Sequence, residues 1–551
     1  MKVSVADLLV AQATHDFEFF HDASGEAWAW DGVLSLKVGS SQLTERLARN
    51  FYLATGKAPG ATTLSTATTT LRAVALWDGP EHTVGLRIAG HEGRVIVDLA
   101  DAEHRVVVID AAGWTVTPES PIRFHRPDGA SALPVPAPGG TLDVLADLWP
   151  VTGEDLVLVL GWVLGSFNPS GSKPLLDLSG TQGSGKSTLA RMLRSLVDPN
   201  AVMLQTMPTD ARNLAVISAR HHVLAFDNAS VITDEFSDAL CRLATGGGFE
   251  TRRLYTDEGV VTFNQIRPVI ITGIPEVAKQ GDLVDRTISI TLPEFAEDAR
   301  RTEAEVTVAF EDARPGLLGL IFDAVSRALR NLDSVVLSES PRMLDFATWV
   351  EAGAPAFGWE RDRFLRAYVS NRREGSAGII ESSFIGQFIP ELARRGFVGT
   401  ATQALNQLAM IAGPEATRRR GWPATPRGFG GILRRLAPSL RDGGVIVGFD
   451  ASGPSSTKTL RVHLAPDPDA SSAEVIAFAT PAASVPPGVR ETAEALRAAG
   501  VDGTWPASRV GTLALQKAVG DALLAVGALR LLGIPAPGGG EWTPDVLRGV
   551  I

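Results

Sequence analysis

Apolar positions along the first 130 residues fall into two patterns. In SSQLTERLARNFYLATG and TTLSTATTTLRAVALW they return every three or four residues, which predicts two helices. HTVGLRIAG, GRVIVDLA, HRVVVIDA and GWTVTP then follow as short alternating runs broken by turn residues, which predicts an antiparallel meander. Residues 1–132 are therefore expected to form an N-terminal α+β domain, and they contain no catalytic cluster. LPVPAPGGT, 133–141, reads as a stiff, extended linker.

From 142 to 300 helical patterns alternate with fully apolar runs. That is the signature of an α/β core, a mostly parallel sheet with helices on its faces. Helical patterns dominate 301–395, and PRMLDFATWVEAGAPAFGW, Pro341 to Trp359, is expected to be the core of that helical domain. Residues 396–465 read as helix, turn, helix and hairpin. A second linker rich in Pro, Ala and Ser spans 465–488, and 489–551 reads as a small helical tail with no assignable chemistry. LVLVLGWVLGSF, from Leu156, is too short to span a bilayer and predicts a buried helix. No internal repeat is present.

Composition narrows the function classes. A chain of 551 residues suggests three or four domains. Net charge is −11, so contact with nucleic acid must come from a local patch. The single cysteine, Cys241, excludes a disulfide framework and a Cys-based zinc site, and the nine histidines show no metal-ligand spacing. MKVSVADLLVAQATHDFEFF carries acids early and lacks a signal-peptide layout, so no membrane role and a cytoplasmic compartment are expected.

The sharpest chemical signal is LLDLSGTQGSGKSTLARML, Leu175 to Leu193. It holds G-x-x-x-x-G-K-[ST] between an apolar strand pattern and an amphipathic helix pattern, the context this phosphate-binding loop requires. Gly180, Thr181, Gln182, Gly183, Ser184, Gly185, Lys186, Ser187 and Thr188 would bind the nucleotide. Glycines let backbone N–H groups converge on phosphate oxygens, and the helix dipole adds to that attraction. Lys186 would neutralise the β and γ phosphates of ATP, and Ser187 would coordinate Mg2+. Asp227, 41 residues beyond Lys186, ends the apolar run Val223 to Phe226 and is the natural second partner for Mg2+. The bland alternatives are a glycine-rich turn that binds nothing and an aspartate that caps a helix starting at Ala229.

With LCRLATGGGFETRRLYTDEGVVTF, RPVIITGIPEVA and DLVDRTISITLP, the order of motifs resembles superfamily 3 (AAA+-like) helicases. The resembling proteins are ATP-binding proteins of phages and integrative elements, related to poxvirus-type primase-helicases. The likeness covers roughly 20–465 and is specific over 175–293. It implies a P-loop ATPase core over 142–300, a hexameric ring of subunits, and an arginine acting across the subunit boundary, here Arg286. Two positions depart from the family. Asn228 stands where a second acid is common, with Asp234 and Glu235 as nearby substitutes. Thr272 and Gly273 stand where a polar γ-phosphate sensor, commonly Asn, ends the third strand. Asn228 is expected to orient water, because phosphoryl transfer depends mainly on positioning and charge. The alternative for Arg286 is a surface salt bridge with a nearby acid.

Two regions are candidates for DNA, single-stranded and duplex. The first is a hairpin pattern at Arg252 and Arg253, with Arg267 close by, although its TDEG tip is acidic. The second is 418–461, where nine arginines and lysines face two aspartates. There TPRGFGGILRRLAPSLRDGG predicts a helix with Phe429, Ile432, Leu433, Leu436 and Leu440 on its apolar face. GVIVGF and TKTLRVHL then predict two strands. Helix followed by hairpin predicts a winged-helix DNA-binding domain over 396–465, with Arg427, Arg434, Arg435 and Lys458 as contacts; a merely solvated basic face is the alternative. The resulting expectation is an ATP-dependent DNA helicase of a mobile element acting in replication, with any primase on a separate chain. A DNA-associated ATPase that loads or remodels proteins, and a nucleotide-switched binding module with little turnover, remain the alternatives.

Overall fold

The computed structural model describes residues 4–465 except 230–231, 248, 253–259, 264, 274–280, 295–300, 420 and 451–458, together with Leu529. The expected tail over 489–551 therefore lies outside the described residues, apart from Leu529. Residues 1–465 form one compact unit and 466–551 another.

The chain opens with α1 (Val5–Asp16), β1 (Glu18–His21), β2 (Ala27–Trp30) and β3 (Ser35–Lys37), then α2 (Ser41–Thr55) and α3 (Ala61–Trp77). In α2, Leu43, Leu47 and Phe51 recur every fourth residue on the buried face. Ser40 caps its start, and Gly56 ends it in the left-handed region at φ 69°. The strands β1, β2 and β3 form an antiparallel sheet that the sequence pattern did not reveal.

After the short β4 (Val84–Gly85), the predicted meander is present. β5 (Ile88–His91), β6 (Arg94–Asp98), β7 (Val106–Ile109) and β8 (Trp114–Thr117) pair antiparallel in chain order, and β9 (Arg123–Phe124) returns to β4.

The stretch at 133–141 is not a free linker. The Ala137 N–H donates to the Pro315 carbonyl at 2.8 Å. A Cβ on Gly140 would lie 2.0 Å from the Gly316 oxygen, and one on Gly319 would lie 1.9 Å from the Ala137 oxygen. Glycines on both sides let this segment lie directly on a helix backbone. A buried pair adds to the junction: Arg87 Nε donates to Asp198 at 3.1 Å, and the same guanidinium reaches the carbonyls of Asp98 and Ser131.

The central layer is built from α4 (Gly153–Ser166), β10 (Leu175–Ser179), α5 (Lys186–Val197), β11 (Gln205–Thr206), α6 (Ala211–Ser218), β12 (Leu224–Ala229), α7 (Asp234–Thr245), β13 (Phe249–Arg252), β14 (Val260–Phe263), β15 (Val269–Gly273), α8 (Gly281–Val284) and β16 (Thr287–Thr291). Five strands form a parallel sheet in the order β11-β12-β15-β10-β16. β10 and β15 are buried at every position, which explains their unbroken apolar runs. β13 and β14 form a separate hairpin. The edge strand β16 is blocked by Asn371, whose amide both accepts from the Ser289 N–H and donates to the Ser289 carbonyl.

Next come α9 (Glu303–Asn331), α10 (Leu344–Gly353) and α11 (Arg363–Ser382). As expected, Phe346, Trp349 and Val350 are core residues. The last described part runs α12 (Ile389–Arg394), β17 (Phe397–Thr400), α13 (Ala401–Ala412), α14 (Pro426–Asp442), β18 (Val445–Asp450) and β19 (Thr459–Leu464). Its sheet order is β17-β19-β18, all antiparallel. Phe429, Leu433, Leu436 and Leu440 of α14 are buried, as the apolar stripe predicted.

Candidate nucleotide-binding site

β10 ends at Ser179 and α5 begins at Lys186, so the six residues Gly180 to Gly185 make the loop at the C-terminal end of a central strand. Gly180, Gly183 and Gly185 take φ of 144°, 84° and 82°, a region costly for other residues. A Cβ on Gly180 would sit 2.9 Å from the Leu292 oxygen and 2.8 Å from Ser184 Oγ. No side chain caps α5. Its first N–H groups are thus free to meet an anion at the positive end of the helix. Thr181, Gln182 and Gly183 are exposed at the loop tip, Thr188 is half-buried, and Ser184 Oγ is buried without a hydrogen-bond partner.

Lys186 folds back over this loop. Its ammonium donates to the Gly180 carbonyl at 2.9 Å and to the Thr181 carbonyl at 2.6 Å. It stands over the space that the glycines leave open.

Two strands and a helix converge beside it. Ser187 Oγ, in the first turn of α5, donates to Asp227 Oδ1 at 2.9 Å. Thr272 Oγ1, near the end of β15, donates to the same carboxylate oxygen and accepts from the Asn228 N–H at 3.2 Å. Thr272 is fully buried, so its hydroxyl is committed to Asp227 and Asn228. In this arrangement Thr272 holds Asp227 in place. A hydroxyl plus a carboxylate oxygen is a hard donor set that suits Mg2+ in company with water and phosphate. Among the described residues, no cluster of three or more His, Cys, Asp or Glu could hold a metal unaided.

Asn228 has a backbone reason for its identity. It sits at φ 56°, beside a register shift between Phe226 and Ala229 in the pairing of β12 with β15. Asn enters the left-handed region far more readily than Glu. Its side chain is exposed at the strand end.

Arg286 lies elsewhere. β10 and β16 pair in register from Leu175↔Thr287 to Ser179↔Thr291. Arg286, before Thr287, is thus at the opposite end of the sheet from Gly180, roughly 15–20 Å away along the strands. Its guanidinium pairs with Asp282 at 2.7 Å and donates to the Asp282 carbonyl, with only 11% of the side chain exposed. Within its own chain it serves α8 through this pair.

Of the candidate DNA contacts, Arg252 lies on β13, while Arg253 and Lys458 are outside the described residues. Arg267 is turned inward: it donates to the Ser218 carbonyl at 3.0 Å, which removes it as a DNA contact. Arg427, Arg434 and Arg435 are exposed on α14, with the Arg434 guanidinium 5.0 Å from the centre of the Phe449 ring.

Sequence reading missed Asp177. This carboxyl is buried in the middle of β10 and Oδ1 has no partner, so desolvation pushes its pKa up to about 7. A lone acid inside an apolar run carries no periodic signal beyond its own oddity.

Comparison with known proteins adds a class. Residues 143–368 match the family model described as the actinomycete integrative conjugative element replication protein. Residues 385–474 match the model described as the AICE RepA C-terminal domain. The chain is a replication protein of a mobile element. More particularly, it is a replication protein of an integrative conjugative element. No curated relative matches. Among solved structures, the A form apo structure of the NrS-1 C-terminal region aligns with 83% of this chain and 99% of its own, at 14% identity and a TM-score of 0.38. An apo structure of NrS-1 residues 305–718 aligns with 83% and 98%, at 13% identity and 0.37. No helix among the described residues is long and apolar enough to cross a membrane.

Proposed function

We propose that this replication protein is an ATP-dependent DNA helicase with a P-loop, AAA+-like core, working in the cytoplasm at the start of element replication. The observation that carries the reading is the shared carboxylate oxygen of Asp227. It gathers Ser187 and Thr272 beside a glycine loop over which Lys186 is poised. ATP binding would draw the Lys186 ammonium from two carbonyls to the β and γ phosphates. Gly180 to Gly185 and the start of α5 would wrap those phosphates. Bound Mg2+, reached from Ser187 and Asp227, would supply charge neutralisation on the phosphate oxygens. Asn228, exposed at the end of β12, would orient the attacking water.

The order β17, α13, α14, β18, β19, with its three-stranded antiparallel sheet and α12 just before it, supports a winged-helix reading of 396–465. α14 would be its recognition helix, contacting DNA through Arg427, Arg434 and Arg435. A hexameric ring would place Arg286 against a neighbouring subunit, and priming would fall to another chain.

One observation favours the alternative of a nucleotide switch with little turnover: an amide, not an acid, follows Asp227. The test is ATP hydrolysis by the full chain with and without single-stranded DNA, run beside a size measurement in ATP and a strand-displacement assay. Stimulated hydrolysis with displacement supports the helicase. Stimulated hydrolysis without displacement points to a loader or remodeller. ATP binding without turnover leaves the switch.

A further inference from the structure

The short helix α8 belongs to two cores at once. Leu283 is buried in the core of the central layer. The next residue, Val284, is buried in the core of the last domain, with Phe429, Leu433 and Leu436 of α14. α8 then turns straight into β16, because the Leu283 carbonyl accepts from the Arg286 N–H at 2.9 Å and from Thr287 Oγ1 at 2.7 Å. It is also pressed against α11, where a Cβ on Gly375 would lie 3.0 Å from Val284 Cγ1. A side chain at 375 would disturb that approach.

Charges repeat the connection. Arg286, Asp282, Arg342, Asp285, Arg372 and Asp442 follow one another with alternating sign. Arg286 pairs with Asp282 at 2.7 Å, and one nitrogen of Arg342 reaches both Asp282 at 2.8 Å and Asp285 at 3.1 Å. Arg372 stands 3.8 Å from Asp285 and pairs with Asp442 at 3.0 Å. The row begins at the arginine proposed to act on a neighbouring subunit. It ends at the last residue of the helix proposed to contact DNA. A displacement of α14 on α11 therefore cannot leave α8 untouched. Val284 and Asp285 follow the last domain, Leu283 stays with the sheet, and Arg286 takes up the difference. Packed cores and ion pairs pass such a shift on, because close-packed interiors yield little.

We propose that α8 and this row of charges couple DNA on α14 to the setting of Arg286, so that duplex DNA held by one subunit stimulates ATP hydrolysis at the neighbouring subunit's site. The inference rests on the helicase reading of the nucleotide site, Arg286 and α14, and adds how that activity is regulated. Asp285, Arg342 and Arg372 are positioning residues in it, and none of them touches ATP or DNA.

The test uses the full chain as wild type, Asp285→Asn, Gly375→Ala and Gly378→Ala. Asp285→Asn breaks the row in its middle. Gly375→Ala sets a methyl group against Val284 and changes no charge. Gly378→Ala lies in the same helix, where a Cβ meets nothing within 4 Å among the described residues, and is the control. The readout is the ratio of ATP hydrolysis at saturating duplex DNA to that without DNA, measured beside duplex affinity in the absence of nucleotide. Duplex DNA is expected to raise wild-type hydrolysis at least about fivefold. Asp285→Asn and Gly375→Ala are expected to bring that ratio to about one. Their duplex affinity should stay within about twofold of wild type, and the control should keep both values. A wild-type ratio in either variant overturns the coupling. So does a fall in duplex affinity of about tenfold or more in both, which would mean that the last domain is merely loosened. Undiminished stimulation of Arg286→Ala overturns it as well, because the coupling ends on that side chain. If wild type is stimulated by single-stranded DNA and not by duplex, the coupling fails and the helicase reading stands. If wild type turns over no ATP, both fail.

Discussion

Ser187 and Asp227, 40 residues apart, are joined by a 2.9 Å hydrogen bond from the serine hydroxyl to a carboxylate oxygen. The bond ties the first turn of α5 to the end of β12. Thr272 holds the same oxygen from β15. Two of the three groups are hard oxygen donors open to Mg2+, and the third is wholly buried. The cluster is therefore assembled by the fold before any ligand arrives, which lowers the ordering cost of binding.

Lys186→Ala should abolish ATP turnover and leave the fold intact. Among the described residues the ammonium's hydrogen bonds go to two loop carbonyls, so little packing is lost. Turnover and a thermal melt, measured together, check this. Wild-type-like turnover would remove the loop from the mechanism.

Thr272→Val separates a positioning role from a sensing one. The change keeps the shape but frees Asp227 and leaves the Asn228 N–H without its acceptor. We expect the Mg2+ requirement for ATP binding to rise several-fold, with a stability loss of about 1–2 kcal/mol. Thr272→Ser should restore both. An unchanged Mg2+ titration with reduced turnover would return Thr272 to the phosphate.

Arg286→Ala tests action across a subunit boundary against the contacts seen within the chain. Loss of the pair with Asp282 should lower stability by about 1 kcal/mol. If the arginine also serves a neighbour, mixing this variant with Lys186→Ala should recover some hydrolysis at mixed interfaces. Recovery of none, with normal turnover by Arg286→Ala alone, leaves only the structural pair.

Asp177 predicts a pH dependence. Its carboxyl has an ordinary pKa of 3.8 and rises to about 7 on burial. Below 3.8 it is neutral in both folded and unfolded chains and costs nothing. As pH rises toward 7 the unfolded chain ionises and the folded one does not, so stability is lost across that window. Above 7 the loss is complete, on the order of 2–4 kcal/mol. Asp177→Asn should thus gain on wild type at about pH 8 and not at about pH 4. Denaturant melts at both values decide it, and a gain independent of pH would contradict the assignment.

The sequence announced those parts whose physics is local. The loop Gly180 to Gly185 is legible because its glycines, lysine and serine are contiguous. The α14 stripe is legible because burial recurs with the helical period. The sheet β1 to β3 was hidden because its strands are three or four residues long, too short for alternation to show. The contact of 133–141 with α9 was hidden because Pro and Gly mark free linkers and close backbone packing alike. Asn228 read as a missing acid until its left-handed backbone supplied a reason for the amide. Charge pairs between distant elements, such as Arg87 with Asp198, have no signature along the chain.

One such set joins the central layer to the last domain. Arg372 of α11 donates from Nη2 to Asp442 at 3.0 Å and stands 3.8 Å from Asp285. Asp285 also takes Arg342 at 3.1 Å, and Ser376 Oγ donates to the other oxygen of Asp442 at 3.0 Å. Asp442 is the last residue of α14, and Asp285 directly follows α8. The Arg372 and Asp442 side chains are only 17% and 16% exposed, so removing the cation leaves the largely buried Asp442 without its paired charge. Arg372→Met keeps the aliphatic stem and deletes the charge. We expect a loss of about 2 kcal/mol or more, felt first where α14 rests on α11. Limited proteolysis should then release 396–465 faster than from wild type, and Arg372→Lys should slow that release again. Equal cleavage rates for wild type and Arg372→Met would mean that the apolar face of α14 alone holds the domain in place.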